Sequence, residues 1–128
     1  MGPEAIQKKF EEEIEVFKKL QKDLSKTTVL RSRLDGQLNE NKIVKEELDL
    51  LEGGAVVYKL IGPVLVKQDL EEAKQNVEKR IDYISQEMKR HDSTLNDLEK
   101  EQETKKDSLA KLQTQLQQLM VKAAAQQK

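Results

Sequence analysis

The sequence predicts a mainly α-helical protein: a long antiparallel two-helix coiled coil whose helices are joined by a single β-hairpin. Three observations carry this. Two stretches of about 50 residues repeat apolar side chains in sevens, the a/d pattern of helices packed along a seam. Between them, residues 53 to 69 are rich in Val, Leu, Ile and Tyr and are punctuated by Gly53, Gly54, Gly62 and Pro63. Finally, 36% of the 128 residues are apolar and 37% charged, against roughly 45–50% and about 25% in ordinary domains. That is too little apolar surface for a thick core, but enough for a narrow seam coated with charge.

The first helix is expected over about residues 4 to 52. Pro3 suits the first helical position, where a missing N–H leaves no bond unmade. One seam position holds Phe10, Phe17, Leu24 and Leu38, and the position three residues on holds Ile6, Leu20, Leu34 and Leu48. Glu13, Thr27, Arg31, Asn41 and Lys45 fall on the same positions and make the seam imperfect. Leu30, Val44 and Leu51 widen the stripe to one side, which predicts contact with more than one neighbour there. Gly53 is placed to end the helix in a left-handed conformation.

The hairpin is expected over about residues 55 to 68, turning at Gly62-Pro63. Val56, Tyr58 and Leu60 alternate with Val57, Lys59 and Ile61, so neither face is cleanly polar. A lone two-stranded hairpin is marginal in water, and its unpaired edges invite another chain. Hairpins of several chains joining into a common sheet or β-barrel would satisfy both demands. The other reading is that the hairpin folds back onto its own coiled coil.

The second helix is expected over about residues 69 to 122, with a frayed tail from 123 to 128. Asp69-Leu70-Glu71-Glu72 resembles a capping box. Ile81, Met88, Leu95, Leu109 and Leu116 hold one seam position, and Val77, Ile84, Leu98, Leu112 and Leu119 the other. His91, Gln102 and Lys105 are the polar members. Glu15–Lys19 and Glu101–Lys105 are i,i+4 pairs of the favourable order. Chain reversal at the hairpin brings both helix ends together at a tip about 75 Å from it, by helix rise.

Charge and composition narrow the function. A net charge of −1 with interspersed signs argues against a nucleic-acid partner. The absence of cysteine removes disulfides and thiolate metal sites. No segment reads as a membrane span or a signal peptide, and Ile6 stands where a myristoylation motif needs Ser or Thr. These point to a soluble intracellular protein. A single histidine, His91, and no Gly-rich phosphate loop give no catalytic, cofactor or metal site. At the tip, Ile14, Val16, Met120 and Val121 lie off the strict seam. Apolar surface left there has a binding use, or else these residues close the end of the coiled coil.

Residues 57 to 69, Val-Tyr-Lys-Leu-Ile-Gly-Pro-Val-Leu-Val-Lys-Gln-Asp, run on into Leu70-Glu-Glu-Ala. This stretch resembles the hairpin and second-helix start of β-type prefoldin subunits. Residues 21–26, 40–48 and 79–84 extend the resemblance over roughly residues 5 to 120. The resemblance implies a non-enzymatic, ATP-independent chaperone in the cytoplasm, a hexamer of two α-type and four β-type subunits. Its clients are unfolded proteins such as actin and tubulin, passed to the cytosolic chaperonin. Carried onto this chain, the assembly residues are Val56, Val57, Tyr58, Leu60, Ile61, Val64, Leu65 and Val66. The client-binding residues are Ile6, Phe10, Ile14, Phe17, Leu112, Leu116, Leu119 and Met120. The alternative from pattern alone is a structural coiled-coil adaptor for a folded partner.

Overall fold

The structure is a computed structural model and describes residues 2–126. In chain order it comprises α1 (Pro3–Asp49), β1 (Val57–Ile61), β2 (Val64–Gln68) and α2 (Leu70–Gln126). The chain divides into two compact units. One holds the residues up to Thr28 and from Ser93 onward, the other Val29–Asp92.

Both helix starts follow from their first residues. The Ile6 amide donates to the Gly2 carbonyl at 3.2 Å, so Gly2 caps α1 and Pro3 opens it. The Ala73 amide donates to the Asp69 carbonyl at 2.9 Å, which puts Asp69 at the cap of α2 with Glu71 and Glu72 in its first turn. Their carboxylates lie where the helix dipole favours negative charge.

The helix ends depart from expectation. α1 stops at Asp49 rather than about residue 52. Its last turn tightens: the Leu50 amide is shared between the Glu46 and Glu47 carbonyls at 3.2 and 3.3 Å, and the Leu51 amide donates to the Leu48 carbonyl at 3.2 Å. A β-turn follows, closed by the Ala55 amide on the Glu52 carbonyl at 3.1 Å. Its third residue is Gly54 with φ +92°, as a type II turn requires. The left-handed glycine is therefore Gly54 and not Gly53. α2 continues to Gln126, into the segment expected to be a frayed tail. Ala123, Ala124 and Ala125 carry it on, alanine having the highest helix propensity. Gln127 and Lys128, the rest of that tail, lie outside the described residues.

In the unit containing both helix ends, α1 and α2 run antiparallel with Ile6, Leu20 and Leu112 buried. In the Val29–Asp92 unit, Leu48, Leu70, Ala73 and Val77 form a buried cluster against which Val57 and Ile81 pack. Ile84 and Met88 are also buried.

The residues that look like breaks in the seam are part of it. Glu13, Thr27, Arg31, Asn41 and Lys45 are all half-buried, as are His91, Gln102 and Lys105. Glu13, Arg31, Asn41 and Lys105 have polar partners. The Lys105 Nζ lies 3.0 Å from Glu13 Oε2, but its hydrogen bond goes to Oε1 at 3.3 Å. Oε2 is left without a hydrogen-bond partner among the described residues and is balanced by charge alone. Asn41 Nδ2 donates to its own helix, to the Gln37 carbonyl at 2.7 Å. Arg31 Nε donates to Asp92 Oδ1 at 2.8 Å, while Nη1 stands 3.8 Å from Asp35. The Arg31 hydrogen bond holds the Asp92 carboxyl below its ordinary value against the opposing effect of desolvation, and its charge adds to this. The expected i,i+4 pairs give way to these contacts. Lys105 turns from Glu101 into the seam, and Glu15 meets Lys18 at 3.8 Å rather than Lys19.

Two outcomes follow from the paired seam charges. Lys105→Met strands the Glu13 carboxylate and is expected to cost about 1–3 kcal/mol in urea unfolding followed by helical circular dichroism. Adding Glu13→Leu recovers most of that loss, because two apolar side chains suit the same space. The depressed pKa of Asp92 makes its contribution present above the unfolded carboxylate value of about 3.9 and lost as pH falls through the lower folded value. Asp92→Asn is therefore expected to lower the unfolding temperature at neutral pH, and the difference from the wild type shrinks as pH falls through the folded value.

Candidate functional site

The hairpin is built by its turn. Gly62 has φ +56° and no other residue of the loop has positive φ, which defines a type II′ turn with Pro63 second. That two-residue turn sets the register Tyr58↔Lys67, Leu60↔Leu65 on one face and Val57↔Gln68, Lys59↔Val66, Ile61↔Val64 on the other. The sheet has these two strands only, among the described residues, so both outer edges keep unpaired backbone groups.

The expected assembly residues divide in two. Val57 packs against the cluster of Leu48, Leu70, Ala73 and Val77 and ties the base of the hairpin to its own helices. Val56, Tyr58, Leu60, Ile61, Val64, Leu65 and Val66 are exposed, Leu60 by 67% and Leu65 by 64%. At its base Val57, Tyr58, Lys59 and Gln68 border a space of about 170 Å³ shared with Val44, Leu48, Ala73 and Val77, and beyond this base the hairpin stands clear of its coiled coil. Both faces are apolar and both are open, an arrangement that costs free energy in water until something covers it.

At the other candidate site, Ile6 and Leu112 are buried and hold α1 to α2 rather than offer surface. Phe10, Ile14, Phe17, Leu116 and Leu119 are half-buried. Met120 is 72% exposed, and Val16 and Val121 are also open. An open groove runs between Glu4, Gln7 and Glu11 of α1 and Leu116 and Met120 of α2. Its floor is apolar and its rim charged. The available apolar surface here thus comes from Met120, Val121 and Val16, with the edges of the half-buried residues. Met120 adds a flexible, polarizable side chain suited to variable partners.

A further apolar surface lies on α1. Beside Leu30, Val44 and Leu51, which widen the seam stripe, Val29, Ile43 and Leu50 are exposed as well, Leu50 by 83%. The signal was present as a second seven-residue repeat, 29-36-43-50, outside the seam.

Among the described residues no three His, Asp or Glu side chains are placed to hold a metal ion, and no helix is long and apolar enough to cross a membrane.

These features define a class: two helices in an antiparallel coiled coil, linked by a hairpin whose apolar faces the chain itself leaves uncovered. A family model described as "Prefoldin subunit" matches residues 11–126, and the chain belongs to the prefoldin subunit family. It is 55% identical over 114 residues to prefoldin subunit 6 of Mus musculus, covering 89% of this chain and 90% of that one. It is 53% identical over 112 residues to prefoldin subunit 6 of Arabidopsis thaliana, covering 88% and 87%. Among solved structures it resembles the prefoldin beta subunit from Thermococcus strain KS-1, with a TM-score of 0.55 and 23% identity over 86% of this chain and 90% of that one. At that identity the likeness speaks for the fold.

Placement of the hairpin residues separates two substitutions. Leu65→Asp is expected to leave the chain's helicity and unfolding temperature unchanged in circular dichroism, because Leu65 is exposed. Val57→Asp buries a carboxylate against Leu48 and Val77 and is expected to destabilise the fold itself by about 1–3 kcal/mol.

Proposed function

We propose that this chain is a β-type subunit of a hetero-oligomeric, ATP-independent chaperone. In this reading its hairpin joins those of other prefoldin subunits, two α-type and further β-type chains in a hexamer, as a shared β-barrel body. The paired helix ends capture unfolded proteins such as actin and tubulin, for transfer to the cytosolic chaperonin in the cytoplasm. The observation that carries the reading is the hairpin: seven of its apolar residues are exposed on two faces in a chain of the prefoldin subunit family. Burying such surface contributes about 25 cal/mol per Å², and pairing the open edges satisfies the backbone groups they leave.

Capture at the helix ends is supported by the exposed Met120, Val121 and Val16 beside the charged-rimmed groove. Contacts made by side chains bind many sequences weakly, which suits a holding function that uses no nucleotide. Deletion of the helix ends is a poor test, because Ile6 and Leu112 hold the two helices together. Substitution at the exposed positions leaves the seam intact.

The expected result is that Met120→Ser with Val121→Ser raises several-fold the complex concentration needed to suppress aggregation of denatured actin. Helicity and native mass of the complex stay unchanged. An unrelated denatured protein should respond in the same way. Unchanged protection by the double variant removes the helix ends from the client site, and protection of a single folded partner alone identifies an adaptor instead.

A further inference from the structure

We propose that the outer face of α1 in the Val29–Asp92 unit is a second subunit interface, along which a helix of a neighbouring prefoldin-family subunit lies. This rests on the hairpin-assembly reading and extends it.

The face repeats in sevens. Val29 and Leu30, Ile43 and Val44, and Leu50 and Leu51 are exposed, and Gly36 and Gln37 complete the series. These positions lie outside the seam, which α2 already occupies, and positions of this kind are normally polar; of them Val44 also borders the space at the base of the hairpin. Further back along the same repeat come Lys22 and Glu15, in the other unit. Along the Leu30 repeat come Asp23 and then Val16, itself exposed, so adjacent apolar pairs recur only in the unit that carries the hairpin.

Gly36 is the second observation. A glycine inside a helix costs about 1 kcal/mol relative to alanine. Its conformation here is not left-handed, and a Cβ would meet no atom of the chain within 4 Å. Neither backbone nor intrachain packing requires it. A side chain missing in the middle of an exposed apolar stripe lets an outside backbone approach closely.

Period, charge and size choose the occupant. A repeat of seven matches a helix lying alongside at a small crossing angle, whereas a strand or an unfolded segment has no such period. Between the apolar pairs stand Arg33, Glu40 and Glu47, and Glu40 and Glu47 have no ion-pair partner among the described residues. The neighbour's helix accordingly carries Lys or Arg opposite them, near the hairpin. Strands β1 and β2 have five residues each, while a stable interface draws on about 20–30 residues a side. Leu50 and Leu51 lead through the turn at Glu52 to Ala55 directly into the hairpin, so the subunit paired there is brought onto this face.

The test uses the absence of cysteine from the sequence. Ile43→Cys on the face and Lys42→Cys beside the seam each give the full chain one thiol. Each is co-expressed with the α-type and β-type prefoldin subunits of its own organism. Maleimide labelling of the purified complex is compared with labelling of the same chain carrying Leu65→Asp, alone. The proposal expects the thiol at 43 to label about tenfold more slowly in the complex and the thiol at 42 to label equally in both. Gly36→Leu should raise the unfolding temperature of the chain alone and lower the dissociation temperature of the complex. Equal labelling at 43 within an assembled complex overturns the proposal. Protection that appears only when a denatured protein is added also overturns it, placing a client there instead. Assembly that survives Leu65→Asp refutes the hairpin reading separately, while labelling in the complex still decides this face.

Discussion

Two helices in contact bury one stripe each, and that limit governs the molecule. In each unit the seam between α1 and α2 is the core, and no described side chain is completely enclosed. The seam must therefore hold the helices together with half-buried side chains, charged ones included. Glu13 and Lys105 show how register is kept under that limit. Sliding α2 by one heptad would set Leu98 or Leu112 against Glu13 in place of Lys105, leaving a carboxylate in an apolar seam. Apolar contacts alone would tolerate such a slip more readily, because leucines recur at every heptad.

The same limit explains why apolar surface remains on the outside. A coiled coil offers no second layer for a hairpin to pack on, so only Val57, at its base, reaches the helical cluster. The rest of the hairpin presents two apolar faces and two open edges. Natural proteins seldom leave such edges unguarded, and here Lys59 and Lys67 are the only charged residues on the strands. Assembly is the arrangement that turns this liability into stability. The paired helix ends differ: their exposed apolar residues are few, flanked by charge and suited to weak, reversible contact.

Much of this was legible in the sequence because both periods were clean. The seven-residue seam located α1 and α2, and Gly62-Pro63 located the turn, since glycine at the first position of a type II′ turn leaves proline compatible with the second. The end of α1 was less legible. Gly53 is the residue the pattern favours for the left-handed position, whereas the use of Gly54 depends on a turn closed through the Glu52 carbonyl, which no local propensity encodes. The polar seam residues looked like defects because partners 61 and 92 positions away, Asp92 for Arg31 and Lys105 for Glu13, become visible only in three dimensions. Ile6 and Leu112 illustrate the same gap. Apolar residues near the helix ends suggest binding surface, but those two face the opposite helix, and the exposed apolar surface there belongs to Met120, Val121 and Val16.

The hairpin, left uncovered by most of its own chain, is the surface through which subunits are proposed to join. Amide hydrogen exchange at residues 57–68 tests it directly, measured in the chain alone under monomeric conditions and in the complex with its fellow prefoldin subunits. The outward-facing amides of β1 and β2 are expected to exchange rapidly in the monomer and to become protected in the complex. Amides of α1 and α2 within the seam should change little. Equal exchange of the hairpin amides in monomer and complex would contradict it.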